Sequence, residues 1–214
     1  MTIRHHLTDK ILMAYSAGEL PEAFSLVAAT HLSMCDDCRA RLGAFDALGG
    51  VVLDEVDAAP MADDSIEAAI ARITGLAPEP RRQPNRRTGG VPGPLADYIG
   101  GDLSAVKWRP LGMGVRQAIL PTARDASARL LYIPAGQAMP DHGHRGTEMT
   151  LVLQGAFCDA TDRFGPGDVE VADQGMEHTP VAEDWADCVC LTASDAPLRF
   201  KGLIPRVAQP FFRI

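Results

Sequence analysis

The sequence has no long hydrophobic run. No apolar stretch approaches the roughly 18 residues that a membrane-spanning helix needs. The opening residues Met-Thr-Ile-Arg-His-His also lack the apolar segment of a secretory signal peptide. These two absences predict a cytoplasmic protein that does not enter a membrane. Because 46% of the 214 residues are hydrophobic, a packed core is expected, divided between two small domains or held in one large one.

Basic charge is scarce where a nucleic-acid-binding protein would need it. The net charge is −8, and residues 1–77 hold 5 basic against 12 acidic residues. Contacts between basic side chains and phosphates supply most of the affinity for DNA, so this distribution argues against direct DNA binding. It suits a basic protein partner, although ordinary solubilising surface charge explains it about equally well.

Cysteine is also sparse, and the five thiols are an odd number. In a reducing compartment, a C-x2-C pair is more typical of a metal site than of a disulfide. His31, Cys35 and Cys38 have the spacing H-x3-C-x2-C, and a helix over residues 24–42 would place them on one face. Two thiols and an imidazole suit tetrahedral zinc, which needs a fourth ligand from His5 or His6. The alternative is a pair of buried structural cysteines beside an unrelated histidine.

Hydrophobic periodicity predicts short helices around these donors. One helix precedes Gly18, and a second has Pro21 in its first turn. A third should begin near Cys35, turn Cys38, Leu42, Phe45 and Leu48 inward, and end near Gly49-Gly50. A further helix ends near Gly75 and carries a stripe of Ile66, Ile70 and Ile73. That stripe can pack against its own domain, which the sequence slightly favours, or bind in the groove of a partner.

The composition changes twice along the rest of the chain. Residues 77–94 contain five prolines and three glycines among basic residues, which is typical of a linker. From residue 95 onward, short alternating runs are separated by glycine and proline. The runs cover residues 115–120, 128–133, 147–153, 168–172 and 188–191. Regularly spaced short strands predict a β-sandwich or barrel.

A second set of metal-binding residues lies in the predicted strands. His142, His144, Glu148 and His178 offer three imidazoles and one carboxylate, a set that binds Zn, Fe, Mn or Ni. The segment from Gly136 to Gly155 is similar to the first cupin motif at every defined position. The second motif matches at its glycines and at His178, and departs from the pattern at Asp173 and Ala182. The resemblance implies a double-stranded β-helix (jelly-roll) barrel with the metal inside, the alternative being a barrel that has lost its metal.

Cys188 and Cys190 form a C-x-C pair on a predicted strand, so both thiols should point to the same side. If that side is the barrel interior, they lie near the metal and are possible sites of oxidation. A disulfide between them fits a regular strand poorly, because side chains two residues apart stand about 7 Å from each other. The alternative is two small buried hydrophobic residues.

The whole chain resembles the ChrR-type zinc-binding anti-sigma factors. The resemblance includes TIRHHLTDKILMAYSAGELPEAFSLVAATHLSMC, DHGHRGTEMTLVLQGAF and the terminal QPFFRI. It implies a zinc-binding helical anti-sigma domain over residues 1–76, a linker over 77–94 and a cupin domain over 95–214. It also implies that His6, rather than His5, joins His31, Cys35 and Cys38 at a structural zinc. His142, His144, Glu148 and His178 would hold a second divalent metal, with zinc expected.

The resemblance further implies that residues 1–76 sequester a group IV (ECF-type) sigma factor, with Ile66, Ile70 and Ile73 in the contact. The cupin domain would then be needed for release when singlet oxygen or organic peroxides appear, by a mechanism in which Cys188 or Cys190 could take part. No catalytic residue is expected. The competing function is a metal-dependent cupin enzyme, an oxygenase or isomerase, with an accessory zinc-binding helical domain.

Overall fold

The computed structural model describes residues 2–76, 90–200, 202 and 209, so most of the predicted linker and of the terminal segment lies outside it. Helices come first in the chain and strands follow. The helices are α1 (Asp9–Ser16), α2 (Glu22–Leu32), α3 (Asp36–Asp54), α4 (Ser65–Gly75) and α5 (Gly93–Ile99), followed by a 3₁₀ turn at Leu103–Ala105. The strands are β1 (Arg109–Gly112), β2 (Val115–Ile119), β3 (Ser127–Ile133), β4 (His142–Gly143), β5 (Glu148–Gln154), β6 (Phe157–Cys158), β7 (Arg163–Phe164), β8 (Val169–Ala172), β9 (Glu177–His178), β10 (Val181–Ala182), β11 (Cys188–Ser194) and β12 (Arg199–Phe200).

Residues 24–42 do not form the one continuous helix that would place all three donors on one face, and the third helix begins at Asp36, close to the predicted start near Cys35. The chain leaves helical geometry after Leu32 and re-enters it at Asp36. Cys35 has extended backbone angles (φ −117°, ψ 110°), and its Sγ accepts a hydrogen bond from the backbone N–H of Cys38. The thiol therefore caps the N-terminus of α3 instead of continuing α2. This break turns the two thiols toward residues of the chain's first segment.

Two other helix boundaries also differ from the prediction. Pro21 is the residue before α2 rather than part of its first turn. Helix α3 continues through Gly49-Gly50 to Asp54, and Leu48, predicted to face inward, is 56% exposed. A helical glycine is about 1 kcal/mol less favourable than alanine, which is too little to end a helix that has no cap at that point.

The strands form three antiparallel sheets. The largest has the order β1-β2-β3-β11-β5-β8, and two three-stranded sheets have the orders β10-β6-β7 and β12-β4-β9. The inner face of the large sheet packs against β6, β7 and β10 through an apolar cluster that includes Val115, Val152 and Phe157. This arrangement confirms the predicted helical N-terminal region followed by a cupin-like β barrel.

Helices cover the outer face of the large sheet. Helix α2 lies against β11, β5 and β3, and a single apolar core joins helical residues such as Val27 to sheet residues such as Leu151 and Leu191. The strand β11 is therefore buried on both faces along six of its seven residues. Helix α4, in contrast, has no buried residue. Within the described ranges, no helix combines the length and hydropathy needed to cross a membrane.

Candidate metal centres

The first candidate centre joins the chain's first residues to the break between α2 and α3. Donor atoms of His6, His31, Cys35 and Cys38 all lie within 4.8 Å of one another. The His6 Nδ1 atom is 3.3 Å from Cys35 Sγ and 3.6 Å from Cys38 Sγ. His5 points elsewhere, because its ring contacts Phe164 at a centroid distance of 4.4 Å. The geometry therefore separates the two histidines that spacing alone left equivalent.

The protonation of this cluster suits a soft divalent ion. The Nδ1 atom of His31 lies 2.8 Å from the carbonyl oxygen of Gly167, so it carries the proton and leaves Nε2 with a lone pair. That Nε2 atom is buried and has no hydrogen-bond partner among the described residues. Burial raises the pKa of Cys38 to about 11, so without a cation the thiol stays protonated. Two thiols and two imidazoles, one of which has a buried nitrogen without a partner, fit tetrahedral zinc.

The second candidate centre lies inside the barrel. His142 on β4 and His178 on β9 are directly paired across two strands, and His144 follows directly after β4. The Nε2 atom of His178 is 3.2 Å from that of His142 and 3.3 Å from that of His144. Three buried imidazole nitrogens thus converge on one point, which suits a metal ion better than it suits mutual hydrogen bonding.

The opposite ring nitrogens orient two of these imidazoles. His142 Nδ1 lies 2.9 Å from the Pro140 carbonyl oxygen, while His178 Nδ1 lies 2.8 Å from Asp159 Oδ2 and 3.3 Å from Glu170 Oε1. Burial lowers the pKa of His142 to about 4, so this ring is neutral at pH 7. Burial also disfavours the charged form of His178, but the hydrogen bonds and charges of Glu170 and Asp159 outweigh it and raise its pKa to about 9.

Glu148 lines the same cavity as these imidazoles, although it lies outside the compact group formed by the three rings. Burial raises its pKa to about 7, and the nearby Arg129 opposes that shift. Its role as a fourth ligand stays a prediction. The sequence reasoning missed Asp159, which accepts a hydrogen bond from His178, and Glu170, whose carboxylate lies 3.3 Å from the same ring nitrogen. The signal for Glu170 was a charged residue in the mostly buried strand β8, whose other residues are apolar.

We expect Asp159→Asn to lower the metal affinity of the barrel site by roughly 10- to 100-fold. Carboxylates that accept a hydrogen bond from a metal-binding imidazole fix its tautomer and raise its basicity, and their loss has effects of this size. Competition with a chromophoric zinc chelator measures the change. The matched control is Asp162→Asn, which alters a half-exposed carboxylate three residues away. Equal affinities of the two variants would contradict the expectation.

A cavity of about 390 Å³ adjoins the imidazoles of His142 and His178. Its walls are largely apolar, and Cys190 contributes to them. The Sγ atoms of Cys188 and Cys190 are 3.5 Å apart, so the two thiols do share one side of β11. The hydrogen bond with Cys188 and burial raise the pKa of Cys190 well above its ordinary value. Because the thiolate is the reactive form, this environment slows oxidation of Cys190.

Comparison with known proteins places the chain beside anti-sigma factors. A family model described as the ChrR Cupin-like domain matches residues 97–196. The chain is 59% identical over 216 residues to the anti-sigma-E factor ChrR of Cereibacter sphaeroides, with 100% of both sequences covered. The crystal structure of Rhodobacter sphaeroides SigE in complex with the anti-sigma ChrR matches with a TM-score of 0.79 and 58% identity. That match covers 91% of this chain and 100% of the other.

Proposed function

The chain belongs to the family of ChrR anti-sigma factors, and from this premise we propose that it sequesters a group IV (ECF-type) sigma factor and releases it in response to singlet oxygen or organic peroxides. The observation that carries the proposal is the 59% identity over the full length of a relative named as an anti-sigma factor. The role is regulatory, so the competing assignment as a cupin oxygenase or isomerase is not retained. We place its action in the cytoplasm, where a sigma factor meets RNA polymerase.

The helical region offers a surface that suits such a partner. Ile66, Ile70 and Ile73 are 64%, 55% and 69% exposed on α4, so the stripe does not pack against its own domain. Apolar residues near the end of α3, such as Val51 and Val52, are also more than half exposed. An apolar surface within a region of seven excess negative charges complements a basic, DNA-binding partner.

We assign the two metal centres different tasks within this function. Zinc bound by His6, His31, Cys35 and Cys38 would fix the N-terminal helical unit, proposed as residues 1–76. A second zinc ion bound by His142, His144, His178 and Glu148 would belong to the cupin domain, proposed as residues 95–214 after the linker at 77–94. The first assignment rests on the thiol-rich donor set, and the second on the three convergent imidazoles.

The direct test uses the full chain and its cognate ECF sigma factor, mixed at equal concentrations. We expect a 1:1 complex on size-exclusion chromatography. This complex should prevent the sigma factor from binding core RNA polymerase. Illumination with a singlet-oxygen sensitiser should then dissociate the complex. Absence of a complex would overturn sequestration, whereas a complex that survives illumination would overturn the release signal alone.

The Cys188→Ser, Cys190→Ser double variant belongs in the same release experiment. Oxidation of these thiols is one route by which the signal could reach the barrel. The burial of both thiols and the raised pKa of Cys190 argue for slow reaction. Unchanged release by the variant would exclude the thiols from the mechanism. Loss of release with an intact complex would assign the signal to them.

A further inference from the structure

Four consecutive residues of the barrel, Gly167–Glu170, contact both candidate metal centres. At one end of this segment, the Gly167 carbonyl oxygen accepts the hydrogen bond from His31 Nδ1 at 2.8 Å. At the other end, Glu170 Oε1 lies 3.3 Å from His178 Nδ1. Gly167 therefore orients an imidazole of the first cluster, and Glu170 lies within ion-pair distance of an imidazole of the second, whose hydrogen bond goes to Asp159. Three peptide units separate the two contacts.

Asp168, in the middle of the segment, holds the chain's first residues. Its Oδ1 atom accepts hydrogen bonds from the backbone N–H groups of Arg4 at 2.6 Å and His5 at 2.9 Å. Its Oδ2 atom accepts a third from the N–H of Gly165 at 2.8 Å. The side chain is 4% exposed, so its charge is balanced by these three donors rather than by water.

The neighbouring residues extend this attachment. The Val169 N–H donates to the His5 carbonyl oxygen at 3.2 Å, so residues 4–5 lie along the start of β8 like an added strand. Gly167 has φ +90°, and a β-carbon there would lie 2.7 Å from the Ile3 side chain. The position thus needs glycine both for its backbone angle and for the close approach of Ile3. His6, a donor of the first cluster, follows immediately after the residues held in this way.

We propose that the segment Gly167–Glu170 couples the two metal centres, so that loss of the metal from the barrel loosens the zinc site formed by His6, His31, Cys35 and Cys38. The proposal deepens the proposed function, on which it rests, because it supplies the route from the barrel to the sigma-binding unit. A change at His178 alters the contact of Glu170, and the next residues along the strand hold His31 and the segment before His6. Because such coupling is reciprocal, zinc at the first site also favours metal binding in the barrel.

Simple docking of two rigid parts would produce the same contacts without coupling. The two cases differ in how perturbations combine. Under the proposal, removing the barrel metal and removing the Asp168 attachment act through one pathway, so their effects are not additive. Under rigid docking, the two perturbations act independently and their effects on the first site add.

The test is a double-mutant cycle on the full chain loaded with zinc, built from His144→Ala and Asp168→Ala. His144 lies on the side of the His178 ring that faces away from Glu170, so its replacement weakens the barrel site without touching the segment. Two measurements report on the first site. They are hydrogen exchange at the Arg4 and His5 amides and the rate at which a chelator removes the zinc bound by thiols. Elemental analysis establishes the zinc content of each variant.

The expected result is that His144→Ala accelerates both processes roughly tenfold or more in the unchanged background and less than twofold in the Asp168→Ala background. Equal acceleration in both backgrounds, or none in the unchanged one, would overturn the coupling. Asp168→Asn keeps one carbonyl acceptor, so in this background the acceleration by His144→Ala should lie between the other two values. This second variant keeps the test valid if Asp168→Ala fails to fold. The matched control is Asp162→Asn, which removes a surface contact to the His5 ring and should behave as the unchanged protein.

Failure of the coupling is distinguishable from failure of the proposed function. The same four proteins are tested for sigma-factor capture. A chain that binds two zinc ions and the sigma factor but shows additive effects would refute the coupling alone. A chain whose barrel holds no zinc would refute the coupling together with the second metal assignment.

Discussion

Replacing Cys35 and Cys38 together by serine is expected to remove one zinc ion per chain and to abolish sigma-factor capture. A serine hydroxyl is a poor zinc ligand at neutral pH, so the site would keep only the imidazoles of His6 and His31. Structural zinc sites in small peptides contribute about 10–16 kcal/mol of apparent binding free energy, and losing such a term exceeds the total stability of most domains.

The structure indicates where the damage should be confined. Helix α2 is held by the sheet through residues such as Val27, whereas α3 has Cys38 as its only buried residue. We therefore expect α3 and the segment before α1 to become sensitive to protease while β11 keeps its amide protection. Elemental analysis, limited proteolysis and a capture assay measure the three consequences. Cys158→Ser is the control, because this half-buried thiol lies on β6 of the barrel and belongs to neither donor cluster. Capture that survives in the double variant would contradict a structural role for zinc in binding.

Local chemistry made much of both metal clusters predictable from sequence. The H-x3-C-x2-C spacing identified three of the donors that converge at the first site, and the spacing of His142, His144 and His178 identified the imidazoles of the second. These patterns are informative because each donor set occupies a short stretch or a recognisable motif. The strands were also predictable, since the alternating runs correspond to β2, β3, β5, β8 and β11.

The features that the sequence did not reveal depend on contacts between distant residues. The sequence predicted a helix start near Cys35, but it did not reveal that the Cys35 thiol caps α3. The hydrogen bond from His31 to Gly167 joins residues 136 positions apart. Asp159 and Glu170 gain their significance from the ring of His178, which folding brings to them. Without the folded sheet, nothing distinguishes Asp159 from a surface acid, and Glu170 differs from one only in lying within an otherwise apolar strand.

Replacing the three isoleucines of α4 together by alanine is expected to weaken sigma-factor binding by at least 100-fold without unfolding the chain. The substitutions Ile66→Ala, Ile70→Ala and Ile73→Ala remove apolar side chains that are more than half exposed, so the free protein loses no core packing. Alanine is also the strongest helix former, so α4 itself is not weakened. A 100-fold loss corresponds to about 2.8 kcal/mol, which is modest for three apolar contacts at the centre of an interface.

Isothermal titration of the sigma factor with each variant measures this change, and the thermal midpoint of the free variant checks its folding. Trp185→Ala is the matched control, because this residue is 63% exposed on the barrel and offers a comparable apolar area away from the helices. If the triple variant bound as tightly as the unchanged protein, the exposed stripe would serve another purpose, and the remaining apolar surface at the end of α3 would become the candidate contact. If instead the control lost affinity equally, the barrel would have to be part of the interface. Loss confined to the triple variant would locate the contact on α4, the one helix of residues 2–76 that has no buried residue.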